Sequence, residues 1–127
     1  MTLKRLLILT ILFSFRALNP QSKADEKSLL FERDIQPVLA GKCGKCHSDK
    51  MQKGGLDLSS MNGLRHGGES GEAVVAETVE DSLMWTMIDG GDMPPEGQAP
   101  LTADERELIR RWIAGGSRAD QPTEKVI

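Results

Sequence analysis

The sequence predicts a small all-α fold of about three helices with long glycine-rich loops between them. Between Lys27 and Lys42 the apolar residues recur at steps of three and four, which is the period of an amphipathic helix. A capping box at residues 102–105 opens a second helical pattern, which stops at Gly115-Gly116. Residues 50–72 are rich in Gly, Ser and Asp and predict an irregular loop. The length of 127 residues allows one domain.

Proline, capping residues and apolar stripes define the three predicted helices. The first contains Pro37, which has no N–H for the carbonyl of Arg33, so we expect a kink or two short helical pieces near Gln36. A middle helix is predicted with Thr78 as its N-cap and Gly90 after its last turn. The last helix should bury a stripe made of Leu108, Ile109, Trp112 and Ile113.

Residues 1–24 have the features of a secretory signal peptide. Lys4 and Arg5 precede a ten-residue, mostly apolar run, and Ser22 and Ala24 are small residues at the cleavage positions. An uncleaved anchor is the alternative, but the run is shorter than the roughly 20 residues that a membrane span needs. We therefore expect an exported, periplasmic protein with no span in its mature chain, a domain at residues 25–117 and a loose tail at 118–127.

The charge balance excludes one class of partner. The net charge of the chain is −3, and removal of residues 1–24 takes away four basic residues and no acidic one, which leaves −7. An acidic chain is unsuited to nucleic acid, whose binding proteins carry basic patches or stripes. We expect a monomer whose partners are other proteins.

The chemistry of the chain is concentrated in Cys43-Gly44-Lys45-Cys46-His47. A C-x-x-C-H run is typical of covalent haem c attachment. On one helical turn the thiols of Cys43 and Cys46 can each form a thioether to the porphyrin edge. His47 is then positioned as the proximal ligand of the iron. With only Phe31, Trp85 and Trp112 as aromatic residues after residue 24, the core is thin, and a buried macrocycle would supply the missing apolar surface.

Two other interpretations compete for this motif. Cys43 and Cys46 could form a dithiol/disulfide redox pair, but such a pair is expected in a βαβ context, and a helical pattern precedes this one. A zinc site needs four ligands, and the chain could complete a Cys₂His₂ set only by recruiting His66.

Met93 is the candidate distal ligand of the iron. It precedes Pro94-Pro95, which stiffen the loop and hold Met93 outside a helix. A thioether is a soft ligand suited to haem iron. His66 is a weaker candidate for the same position, and Met84 and Met87 are expected to fill the core.

The order of these elements resembles a class I-type cytochrome c and, more closely, the planctomycete-type cytochrome c domain. The resemblance extends over about residues 30–117, and Val75-Ala76-Glu77-Thr78 departs from it where a Pro-Gly-like turn is expected. It implies a helical cytochrome fold with one covalent haem, His47 and Met93 as axial ligands, and a role in electron transfer. The matching pieces are Phe31-Glu32, Ile35-Gln36-Pro37-Val38-Leu39, Cys43 to His47, Gly54-Gly55-Leu56-Asp57-Leu58, Gly67-Gly68-Glu69-Ser70-Gly71, Asp81-Ser82-Leu83, Met93-Pro94-Pro95 and Leu101 to Gly116.

The expected function is therefore single-electron transfer between redox proteins, without catalysis, because a filled sixth position on the iron leaves no site for substrate. The alternative is a haem protein with an open or exchangeable sixth site, either a peroxidase-like enzyme or a gas sensor. Four lysines and one acid give residues 42–53 a net charge of +3. This collar of Lys42, Lys45, Lys50 and Lys53 flanks the haem motif and predicts docking to an acidic patch on a redox partner.

Overall fold

The computed structural model describes residues 28–120, and this part of the chain is helical. Its four α-helices are α1 (Gln36–Lys42), α2 (Met61–His66), α3 (Leu83–Asp89) and α4 (Ala103–Ala114). A π-helical turn at Phe31–Ile35 precedes α1, and a 3₁₀ turn lies at Lys53–Gly55. Across residues 28–120 there is no β-strand, only two isolated bridges. The predicted all-α class is confirmed, with one α-helix more than the expected three.

The predicted signal peptide and residues 121–127 lie outside the described residues. Within residues 28–120, no helix combines the length and the apolar character that crossing a membrane requires.

The N-terminal helical segment consists of two pieces that meet at Gln36, as Pro37 predicts. The backbone N–H of Gln36 donates to the carbonyl of Phe31, five residues back, which makes the first turn wider than an α-helical one. Pro37 lies in the first turn of α1, where its missing N–H costs no helical hydrogen bond.

The core lies between this segment and α4. Phe31 and Trp112 are both almost fully buried, and their ring centroids are 5.9 Å apart. Ile35 and Leu39 extend the N-terminal apolar face, and on α4 the Ile109 side chain is completely buried. The predicted α4 stripe is confirmed at Ile109, Trp112 and Ile113, whereas Leu108 is half-buried.

The capping box at the start of α4 is confirmed in both directions. The Thr102 hydroxyl accepts from the Glu105 N–H at 3.1 Å, and the Glu105 carboxylate accepts from the Thr102 N–H at 2.8 Å. Because two N–H groups that lack helical partners are satisfied in this way, α4 begins at a defined residue.

Helix α2 corrects the prediction of an irregular loop at residues 50–72. The Ser60 hydroxyl caps this helix by accepting from the Gly63 N–H at 3.0 Å, and Met61 and Leu64 are buried. A six-residue helix with an interior glycine has weak local propensity, and its stability comes from the packing of these two side chains. The Ser60 N-cap and the three-residue spacing of Met61 and Leu64 were the available signals.

The start of α3 also differs from the prediction. Ser82, not Thr78, occupies the N-cap position, while the predicted end at Gly90 is confirmed. The fully buried Ser82 hydroxyl accepts from the Val75 N–H at 2.9 Å and donates to the Thr78 carbonyl at 2.9 Å. These hydrogen bonds of the Ser82 side chain hold residues 75–82 in consecutive turns. Helix α3 therefore begins four residues later than predicted.

The first residues of the predicted tail are attached to the core. The Arg118 carbonyl accepts from the Phe31 N–H at 2.8 Å and from the Trp112 indole N–H at 2.9 Å. The Asp120 N–H donates to the Glu32 carboxylate at 2.7 Å. The prediction of a loose tail is therefore wrong for residues 118–120.

Candidate cofactor site

The five residues of the C-x-x-C-H motif form a turn that continues from α1. The Cys43 N–H donates to the Leu39 carbonyl at 2.8 Å, and the His47 N–H donates to the Cys43 carbonyl at 2.9 Å. These are helical four-residue steps, so the motif has the geometry that the sequence predicts. Both thiols are free and half-buried.

Gly44 has a structural role that the sequence analysis missed. A Cβ atom at this position would lie 2.5 Å from the Ala40 carbonyl oxygen, a distance that real Cβ atoms essentially never show. The backbone can therefore turn closely over the end of α1 only with glycine at position 44.

The backbone on both sides of His47 is fixed by hydrogen bonds. The His47 carbonyl accepts from the Leu58 N–H at 3.1 Å, and the Lys53 N–H returns to the Cys46 carbonyl at 2.9 Å. The imidazole Nδ1 is buried and has no hydrogen-bond partner among the described residues. Hydrogen bonds among the described residues thus fix the backbone of His47, whereas none of them holds its buried Nδ1.

Met93 lies in the loop after α3 and is attached to that helix. Its N–H donates to the Met87 carbonyl at 3.0 Å, and the same carbonyl accepts from the Asp92 N–H at 2.9 Å. The Met93–Pro94 peptide bond is cis. The side chain is half-buried, and the segment is non-helical as predicted.

One cavity of about 460 Å³ brings these residues together. Its volume is in the range of small-molecule and cofactor sites, and its walls are mostly apolar. Gly54, Gly68 and Gly71 contribute backbone to the wall. The predicted site residues that line it are Cys43, Cys46, His47 and Met93.

His66 is not part of this cavity. It ends α2 and is exposed, so it lies outside the lining that contains His47 and Met93. Met84 and Met87 do line the cavity, although the sequence predicts them only as core residues. Met84 belongs to the buried core as well, whereas Met87 is half-buried. Helical spacing could not predict their place in the cavity wall. The 3.6-residue period indicates which face of a helix is buried, but not whether that face contacts the core or a cavity.

Among the residues that the structure describes, the charged ones at the cavity are all basic. Lys42, Lys45 and Lys53 contribute to its lining, and no carboxylate from residues 28–120 does. Lys42 is engaged within the protein, because its ammonium donates to the Pro100 carbonyl at 3.0 Å and lies 3.7 Å from the Glu105 carboxylate. The predicted collar of four lysines is thus reduced to three that face outward.

The dithiol interpretation is disfavoured by the environment of Cys43. Burial, with a smaller contribution from Cys46, raises the pKa of the Cys43 thiol to about 11. Reactive C-x-x-C pairs have a lowered thiol pKa, because the thiolate is the nucleophile in exchange. The described residues also lack the strand that a βαβ context needs.

The zinc interpretation fails on ligand geometry. Within residues 28–120 no three or more His, Cys, Asp or Glu side chains converge as a metal-binding group, so His66 does not complete a set with Cys43, Cys46 and His47. One imidazole, one thioether and two thiols around an apolar cavity instead fit a covalently attached haem.

Comparison with known families supports the same cofactor. Residues 43–97 match the family model described as Planctomycete cytochrome C. Over these residues the chain is similar to the planctomycete-type cytochrome c domain, which is the family that the sequence analysis suggests. The match runs from the first thiol to just beyond Pro95, so it is narrower than the predicted 30–117 and omits α1 and α4. No curated protein and no solved structure matched the chain.

The similarity of residues 43–97 to a cytochrome c family implies a haem cofactor, and the residues present fit one. Cys43 and Cys46 would hold the group covalently, and His47 and Met93, which line the same cavity, would supply the imidazole and thioether donors. The Met84 and Met87 thioethers add polarisable apolar surface to the wall.

Proposed function

We propose that the protein is an exported carrier of single electrons, with one haem c held by Cys43 and Cys46 and ligated by His47 and Met93. The observation that carries this proposal is the convergence of these four side chains on one apolar cavity. His47 is adjacent to the second thiol, whereas Met93 reaches the cavity from a loop beyond α3. When bound, haem supplies an iron that changes its oxidation state by one electron.

The residues of the chain attach the haem and ligate its iron. The turn at residues 43–47 keeps both thiols and the imidazole on one short, hydrogen-bonded segment. The hydrogen bond from Met93 to the Met87 carbonyl holds the thioether donor against the end of α3. Because His/Met ligation raises the reduction potential of haem iron, this pair favours a high-potential carrier.

The proposal includes the absence of catalysis. A thioether on the sixth position of the iron leaves no open site for peroxide or a diatomic gas. The alternative, an enzyme or sensor with an exchangeable sixth site, requires Met93 to be displaced. The two hydrogen bonds that tie residues 92 and 93 to the Met87 carbonyl favour the carrier.

Export is part of the proposal, because covalent haem attachment takes place outside the cytoplasm. The signal-peptide pattern in residues 1–24 supports this location. The partners are then redox proteins of the same compartment, and the acidic balance of the chain argues against nucleic acid.

The visible spectrum of the purified holoprotein tests the proposal. We expect a low-spin spectrum with a methionine-to-iron charge-transfer band in the oxidised state, and a haem that stays attached after acid–acetone extraction. A high-spin spectrum that changes when peroxide or carbon monoxide is added would favour the enzyme or sensor. A haem that is extracted by acid–acetone would contradict the thioether bonds.

A further inference from the structure

The segment that begins with Met93 separates the cofactor cavity from solvent, and we call residues 93–101 the strap. Residues 95–100 are all exposed. The backbone hydrogen bond that the structure shows within the strap runs from the Gln98 N–H to the Pro95 carbonyl at 3.1 Å. A segment with so little internal structure keeps its position through the contacts at its ends. The strap residues that line the cavity are Met93, Pro94, Pro95 and Gln98.

The first end of the strap is attached to the helices on either side of it in the chain. The Met93 N–H donates to the Met87 carbonyl of α3 at 3.0 Å. The Arg106 guanidinium of α4 donates to the carboxylate of Asp89, the last residue of α3, at 2.7 Å. Both contacts fix the strap relative to α3 and α4, and neither of them reaches the segment that carries the haem motif.

Lys42 connects the other end of the strap to the haem motif. It immediately precedes Cys43 and lines the cofactor cavity. Its ammonium donates to the Pro100 carbonyl at 3.0 Å and lies 3.7 Å from the Glu105 carboxylate. The side chains of this ion pair are only 22% and 26% exposed, so water screens the pair less than a fully exposed one.

We propose that Lys42 is a positioning residue for the sixth ligand of the iron. It holds the Pro100 end of the strap against the haem motif and so limits the exchange of Met93 for an external ligand. This inference rests on the proposed ligation by Met93. An external ligand binds only when the strap is displaced, so its apparent affinity falls with the population of that state. Lys42 lowers this population, because opening breaks a charge-assisted hydrogen bond and separates an ion pair.

Ligand exchange with imidazole tests the proposal. The oxidised holoprotein is mixed with imidazole at pH 8, where this probe is mostly neutral and is not steered by the charge of a lysine. Loss of the methionine-to-iron charge-transfer band is followed by stopped flow. We expect Lys42→Met to accelerate the exchange about tenfold, which is the scale of losing one hydrogen bond from a charged group.

Two control variants separate strap opening from other effects. Lys53→Met removes an exposed lysine that lines the same cavity and forms no ion pair with the described residues. Ile109→Val lowers overall stability by deleting a buried methylene on α4, outside the cavity lining. Both variants should exchange Met93 at a rate close to that of the wild type.

Glu105→Gln isolates the contribution of the ion pair. Glutamine can replace glutamate in a capping box, so the hydrogen bond with the Thr102 N–H is kept while the charge is removed. We expect a smaller acceleration, about two- to threefold, since the hydrogen bond from Lys42 to Pro100 remains. Lys42→Arg keeps a cation that can contact both partners and should restore most of the slow exchange.

Hydrogen–deuterium exchange of the same holoproteins reports on the strap without reference to the spectrum. Peptides that cover the strap should take up deuterium faster in Lys42→Met, because the Met93 amide is released more often from the Met87 carbonyl. Peptides that cover α2 should be unchanged.

Each result decides the inference. A low-spin wild type whose imidazole and deuterium exchange are the same as those of Lys42→Met would overturn it. Equal acceleration by Lys53→Met or Ile109→Val would also overturn it, because the effect would then be one of charge or of general stability. A wild type that is high-spin before imidazole is added would contradict the ligation by Met93, and this inference with it. The spectrum before mixing therefore distinguishes failure of the proposed function from failure of the role of Lys42 alone.

Discussion

At the scale of single residues, the proposed ligation predicts that the site depends on Met93 more than on Met84 or Met87. Met84, Met87 and Met93 all line the cavity, but only Met93 is on a non-helical segment tied to the end of α3. We expect Met93→Ala to keep its covalent haem and become high-spin. Its reduction potential should fall by on the order of 0.1–0.2 V, a fraction of the roughly 0.8 V that axial ligands span. Visible spectroscopy and a redox titration measure both changes.

Met87→Leu is the control for this prediction. Leucine keeps the apolar volume in the cavity wall and removes a thioether that is not a proposed ligand. This variant should therefore remain low-spin with a potential close to that of the wild type. If Met93→Ala stayed low-spin while Met87→Leu became high-spin, the ligand would be Met87.

At the scale of elements, the junction of α1 with the haem motif has room for a side chain at Gly41 but not at Gly44. A Cβ atom at Gly41 would meet nothing within 4 Å, whereas one at Gly44 would press against the Ala40 carbonyl oxygen. We expect Gly41→Ala to stabilise the holoprotein by about 0.5–1 kcal/mol, as alanine does in helices. Gly44→Ala should destabilise it by about 1–3 kcal/mol, the usual cost of overpacking. Guanidinium unfolding followed by circular dichroism gives both values.

The two glycines are three residues apart, so the pair controls for general effects of added apolar surface. Similar unfolding free energies for both alanine variants would mean that the motif can relax away from α1. The close approach at Gly44 would then not be required for the turn.

At the scale of the whole molecule, the apolar cavity lowers the free energy of unfolding when no haem fills it. Without haem, a cavity of about 460 Å³ with a mostly apolar wall is either empty or filled with water, and both states cost free energy in a domain whose net stability is small. Water entering the open side reduces this cost but leaves an apolar wall wet. We therefore expect Cys43→Ser with Cys46→Ser, produced without haem, to be largely unfolded and protease-sensitive. Calorimetry should show no cooperative transition.

Thiol alkylation of the haem-free wild-type chain provides an independent measurement. In an unfolded chain Cys43 and Cys46 should react at similar rates with similar pH dependence. If the haem-free chain kept the fold, the pKa of Cys43 would stay near 11, so Cys43 would react more slowly at pH 8 than it does in the denatured chain, and its reaction would keep accelerating as the pH rises toward 11. A slow Cys43 together with a cooperative melting transition would contradict the prediction.

The sequence by itself determined the features whose causes are local. Pro37 predicts two helical pieces because a missing N–H acts on its own turn. The capping box of Thr102 and Glu105 predicts the start of α4 because both partners lie within three residues. The Cys43–His47 turn follows in the same way from its spacing and from the helix before it.

The tertiary structure decided whatever depends on residues distant in the chain. Ser82 delays α3 because its hydroxyl is bound by Val75 and Thr78, and α2 forms because Met61 and Leu64 find a core to bury in. Arg118 is fixed because Phe31 and Trp112 both donate to its carbonyl.

The tertiary structure also decided the surroundings of the cavity. Lys42 leaves the predicted collar because Pro100 and Glu105 come within reach. The convergence of His47 and Met93 on one cavity has the same origin, since no local pattern specifies where a loop beyond α3 will pack.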